Sequence, residues 1–135
     1  MSTRLTLRHA SCSCGQLSAQ VSGEPVRVSI CHCLACQRRT GSPFGQQARF
    51  PRGAVVLQGQ STIYVRVGDE GTQIHFHFCP QCGATVYYEA EWMEGFVAIP
   101  VGAFADTAFP GPNISVYEDR KHAWVVVPPG IEHMA

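Results

Sequence analysis

The 135-residue sequence predicts an all-β domain, and three observations predict it. Short alternating or β-branched runs recur along the chain, turn residues separate them, and no window sustains a helical period. The length suits one domain with a core of its own, so positions 1–135 are read as a single compact unit.

In chain order the runs are "QLSAQVSG", "VRVSI", "AVVLQG", "TIYVRV", "IHFHF", "TVYYEA", "FVAIPVG", "ISVYE" and "AWVVVP". Each has the β-branched or alternating character of a strand. Between them stand "SGEP", "PRGA", "GDEG" and "FPGPN", rich in the residues that turns require. The exception is "LACQRRTG", which is expected to form a helical turn that ends near Gly41. The tail "PGIEHMA" after Pro128 is expected to be a loose flank.

Formal net charge is +0 and the pI is about 7.0, so nothing drives the whole molecule toward nucleic acid or an anionic membrane. No stretch reaches the roughly 20 apolar residues of a membrane span. The N-terminal "MSTRLTLRHASCSC" lacks the apolar run of a secretory signal. The expectation is therefore a cytoplasmic, reducing location, where thiols stay available for metal.

Seven cysteines occur, and they are grouped: Cys12-Ser-Cys14, Cys31-His-Cys33-Leu-Ala-Cys36 and Cys79-Pro-Gln-Cys82. A disulfide framework leaves one thiol over and needs an oxidising compartment. A metal reading uses all seven. "FCPQCGA" is a zinc-knuckle pattern, in which the proline sets a turn and Gly83 lets backbone amides face sulfur. One knuckle supplies two ligands and a structural zinc takes four. "SCSCG" is the partner, provided the chain curls at Cys14, which Gly15 permits. Cys12, Cys14, Cys79 and Cys82 then close one site and staple distant segments.

Cys31, Cys33 and Cys36 remain. Three protein ligands and an open fourth position is the pattern of a catalytic zinc, where water or a substrate thiol binds. Alternatively a histidine closes the site. His32 lies between two ligands and is expected to point away. His75 and His77 share the polar face of "IHFHF". Arg38, Arg39, Arg49 and Arg52 follow the site in sequence and are candidates to clamp a carboxylate. "YYEAEWMEGF" is a candidate pocket wall.

Taken together, C-x-C-G, then "CHCLACQRRTGSPF", then "FCPQCG" and an aromatic-rich terminal run resemble the glutathione-dependent formaldehyde-activating enzymes, a group that includes the vertebrate centromere protein V. The resemblance covers about residues 11–128. It implies an Mss4-like all-β fold, a structural zinc on Cys12, Cys14, Cys79 and Cys82, and a catalytic zinc on Cys31, Cys33 and Cys36. It also implies a carbon–sulfur lyase that joins glutathione to formaldehyde as S-(hydroxymethyl)glutathione, or one acting on a related thiol–aldehyde adduct. Among the arginines, Arg38 and Arg39 are the first candidates for holding the thiol's anionic tail. The competing class is a non-catalytic zinc module for a protein or nucleic-acid partner. The zero net charge and the absence of a lysine-rich run argue against DNA.

Overall fold

In the computed structural model, which describes residues 6–134, the regular structure is mostly strand. They are β1 (Leu7–Ser11), β2 (Ser18–Ser22), β3 (Arg27–Cys31), β4 (Gly45–Pro51), β5 (Val55–Gln58) and β6 (Thr62–Val67). Then come β7 (Gln73–Phe78), β8 (Thr85–Ala90), β9 (Phe96–Pro100), β10 (Ile114–Val116) and β11 (Glu132–Met134). One α-helix among the described residues, α1 (Leu34–Thr40), follows β3. No helix among the described residues is long and apolar enough to cross a membrane.

Two sheets form. One has the order β1-β2-β5, and the other runs β11-β10-β3-β4-β9-β8-β7-β6. Both sheets send apolar residues into the space between them. Ala19 and Val21 of β2 meet Val28, Ala48, Phe50, Val97 and Ile99 of the larger sheet in one buried cluster. The spacing of these residues is the two-residue period that puts alternate side chains on one face. A second cluster, with Phe76, Tyr88 and Ala98, lies on the opposite face of the larger sheet. That second face is the one the cysteine strand β3 shares.

Close approach of the two segments around β2 and β5 requires glycine at position 59. Its φ is +97°, and a Cβ there would stand 1.9 Å from the Gln16 carbonyl oxygen. Gly59→Ala is therefore expected to cost about 3 kcal/mol, through both the left-handed backbone and the displaced neighbour. A denaturant midpoint equal to wild type would contradict this.

The C-terminal region departs from the sequence reading. "AWVVVP" is not a strand: Trp124 and Val126 are 68% and 89% exposed. The tail, expected to be a loose flank, instead forms β11 parallel to β10. Its ends are fixed by Glu132 N–H to Asn113 O (3.1 Å) and Tyr117 N–H to Met134 O (3.1 Å). The reason is topological. A parallel pair needs a long crossover, and residues 117–131 are that crossover. The β-branched run therefore lies outside the sheet, held in a turn by Lys121 Nζ donating to Val125 O at 2.8 Å. The short tail, with little apolar content, takes the free edge of β10.

Candidate metal centres

The first cysteine cluster sits where β1 ends and where β7 turns into β8. Beyond each strand the chain makes a tight turn. Gly15 N–H donates to Cys12 O (3.1 Å) and Gly83 N–H to Cys79 O (2.8 Å). Both glycines have positive φ, +86° and +81°, which an L side chain resists. These two knuckles bring the sulfurs of Cys12, Cys14, Cys79 and Cys82 within 4.8 Å of one another. Cys14 Sγ lies 3.6 Å from both Cys12 Sγ and Cys79 Sγ. A tetrahedron of sulfurs around an ion at about 2.3 Å has edges of about 3.8 Å, so the spacing fits a four-thiolate site.

Donors face these sulfurs. Leu17 N–H points at Cys12 Sγ (3.3 Å), and Gln81 N–H (3.3 Å) and Gln16 Nε2 (2.9 Å) point at Cys79 Sγ. Burial opposes ionisation of Cys79, but these donors outweigh it and bring its pKa down to about 6. Donors thus favour the thiolate at Cys79. At Cys14 the Gln16 backbone amide favours it too, but in the absence of a cation desolvation and the neighbouring sulfurs outweigh that amide and push the pKa up to about 11. Gln16 has a second task, since its side chain also bonds Gln60 at O and N and ties β1's turn to the segment before β6.

Cys31, Cys33 and Cys36 form the second cluster, again within 4.8 Å. Cys31 is the last residue of β3. Cys33 is the N-cap of α1, and its sulfur accepts from Cys36 N–H at 3.3 Å. Cys36 lies in the first turn, so strand end, cap and helix supply one sulfur each. Thiol hydrogen bonds from Cys31 and Cys36 pull the Cys33 pKa down, and burial works against them. The Cys36 amide and the Arg66 guanidinium add to the lowering. The same sharing pushes Cys31 up. Three sulfurs so close hold negative charge badly without a cation.

Among the described residues, no histidine or carboxylate joins either cluster. His32 points away, as its position between Cys31 and Cys33 suggests. It is fully buried, and its Nε2 meets Ser115 Oγ of β10 at 3.0 Å. His75 and His77 lie on the other face of the sheet. There His77 bonds Ser61 Oγ through Nδ1 (2.9 Å) and stacks on Tyr87.

The arginines divide. Arg38 is exposed. Arg39 turns inward, with its guanidinium over the rings of Phe76 (5.1 Å) and Tyr88 (5.6 Å). A side chain on Gly45 would lie 3.4 Å from both Arg39 Nη2 and Cys36 Cβ, so Arg39 and the cysteine cluster flank the same glycine. Arg49 lies over Trp92 at 5.3 Å, whereas Arg52 donates to Val55 O and serves its own turn. Of "YYEAEWMEGF", Tyr88 and Trp92 face this side and Tyr87 packs into the core between the sheets.

Sequence reading missed Arg66, whose guanidinium is 5.1 Å from the Phe76 centroid. It also missed Gln47, whose buried Oε1 has no hydrogen-bond partner while Nε2 donates to Ser29 Oγ. The available signal was parity: Gly45, Gln47 and Arg49 alternate along β4 and so share a face.

A family model described as glutathione-dependent formaldehyde-activating enzyme matches residues 7–120. A crystal structure of a Rhodobacter sphaeroides protein is similar in fold, with a TM-score of 0.57. The two are 17% identical, and the alignment covers 94% of this chain and 99% of that one. No curated protein matches the chain in sequence.

Proposed function

The chain belongs to the glutathione-dependent formaldehyde-activating enzyme family, and from that premise we propose that it is a zinc-dependent carbon–sulfur lyase acting on glutathione and formaldehyde. One zinc ion would sit in each cluster. Cys12, Cys14, Cys79 and Cys82 hold the structural ion, and Cys31, Cys33 and Cys36 hold the catalytic one. The observation that carries this reading is the second cluster: three converging sulfurs, with no fourth protein donor among the described residues. Zinc held by three thiolates keeps a position for a further ligand and favours the thiolate form of a thiol bound there.

The remaining roles belong to the chain. A free thiol with a pKa near ~8.5 is mostly protonated at neutral pH, so the site must lower the cost of losing that proton. Arg39, beside Cys36, and Arg66, which helps lower the Cys33 pKa, supply positive charge there. In the forward reaction the thiolate sulfur forms a bond to the formaldehyde carbon, and the carbonyl oxygen takes up a proton. Arg39 is the nearer candidate for the substrate's anionic tail. Arg38 lies further out on the helix and would meet only a long one. The chain is read as one domain working in a reducing cytoplasm.

Metal analysis of protein purified under reducing conditions should find up to two zinc ions per chain. A chelator should remove the one at the three-cysteine site first, because it has fewer protein bonds. Exchange spectroscopy with labelled formaldehyde and glutathione should then show adduct formation faster than the uncatalysed addition. Protein without zinc, or exchange at the uncatalysed rate with zinc bound, would sink the proposal.

A further inference from the structure

The larger sheet has a face that the core between the sheets does not use. Residues directly opposite each other in antiparallel strands share a face. Cys31 pairs with Gly45 and Arg27 with Arg49. From Arg49 the same face continues through Ala98, Tyr88 and Phe76. The strand bearing the three-cysteine cluster thus lies on one surface with the Arg27–Arg49 pair. Strands β3, β4 and β6 to β9 place no aspartate or glutamate on it. The nearest acidic position in those strands, Glu89, pairs with His75 on the opposite face.

Arg27 and Arg49 have no evident reason to face each other. Like charges directly across a strand pair are destabilising. Neither has an ion-pair partner among the described residues. Arg27 Nε is buried and makes no hydrogen bond. Burial, and next the charge of Arg27, lowers the Arg49 pKa. Arg49 also lies over the ring of Trp92, a residue about half exposed. Two arginines at opposed positions on one face, one with an orphaned donor, offer what a planar carboxylate would satisfy.

We propose that Arg27 and Arg49 form an anion subsite for a carboxylate of the thiol substrate, at the end remote from the sulfur. This rests on the reading that the thiol binds at Cys31, Cys33 and Cys36. Arg27 and Cys31 stand four steps apart at the two ends of β3, about 13 Å along the strand. The thiol of glutathione sits on its central residue, so either carboxylate lies up to about two residue lengths, about 7 Å, from that residue along the chain, and the long arginine side chains cover the difference. The site therefore takes a peptide-length thiol, and a short thiol occupies only the cysteine end.

Calorimetry on the zinc-loaded protein tests this with three probes: glutathione, S-methylglutathione, which keeps both carboxylates but has no thiol, and mercaptoethanol. Arg27→Gln and Arg49→Gln should each weaken glutathione and S-methylglutathione roughly tenfold or more. Mercaptoethanol binding should stay unchanged. The ligand-free variants should melt no lower than wild type, because a repulsion has gone. Arg49→Lys, which keeps charge but not the planar fork, should fall between. The subsite is overturned if wild type does not bind S-methylglutathione, or if the double glutamine variant binds both tripeptides as well as wild type. In the latter case a glutathione preference over S-methylglutathione would leave the thiol reading standing. If S-methylglutathione follows the arginines but the free thiol adds nothing, the subsite stands and the thiol reading falls.

Discussion

Replacing Cys79 by serine is expected to cost most of the folding stability of the protein. The Cys79 side chain is fully buried, and two donors, Gln16 Nε2 and Gln81 N–H, converge on its sulfur. The knuckle it belongs to is tied to Cys12 and Cys14 of the other sheet, so a metal ion held there joins the two layers. Structural zinc sites contribute on the order of 10 kcal/mol of apparent binding free energy, while a whole domain is stable by about 5–15 kcal/mol. If loss of one of four sulfurs abolishes metal binding, the term removed is comparable with the total. Cys82→Ser should act in the same direction despite its exposed position. Circular dichroism at increasing denaturant, read beside metal content, measures the effect. Variants that keep both the midpoint and the metal would refute a structural role for this cluster.

Cys33→Ser should do the reverse, leaving the fold and ending the chemistry. Serine is among the preferred helix N-cap residues, so the capping contact that Cys33 makes with Cys36 N–H survives the change. The denaturant midpoint should move by less than about 1 kcal/mol in stability terms. A hydroxyl does not replace a thiolate as a zinc ligand. Adduct formation should accordingly fall more than about 100-fold, toward the uncatalysed rate, given that loss of an outer-shell partner alone costs 10–100-fold. The two variants together separate the sites. If Cys33→Ser unfolds the chain and Cys79→Ser does not, the structural and catalytic assignments are exchanged.

Much of this was legible because cysteine spacing is a local signal. The knuckles depend on Gly15 and Gly83 standing next to their cysteines, and α1 on a cap and a terminal glycine eight positions apart. The strands with one apolar face were equally plain. β4 was not, since "GQQARFP" turns only Ala48 and Phe50 toward the core and puts Gln47 and Arg49 on the site face. A strand whose second face lines a polar site lacks the hydrophobic content that marks a strand in sequence. Arg66 was hidden for another reason. It comes from β6, on the far side of the sheet from β3, and nothing in a linear reading tells which distant strand faces a cysteine cluster. "AWVVVP" misled because β-branched composition reports suitability for a sheet, not whether an edge is free.

The four-cysteine cluster joins Cys14 to a residue 65 positions away. Seen as kinetics, this separation sets when the metal matters. Contacts between remote positions carry a loop-closure cost and form late in folding. Until they form, each knuckle offers an ion two sulfurs only. Full coordination is thus a product of the finished architecture and not its nucleus. A stabilising interaction absent from the transition state slows unfolding and leaves the folding rate nearly untouched. Metal at this cluster is expected to lengthen the lifetime of the native state more than it hastens its arrival.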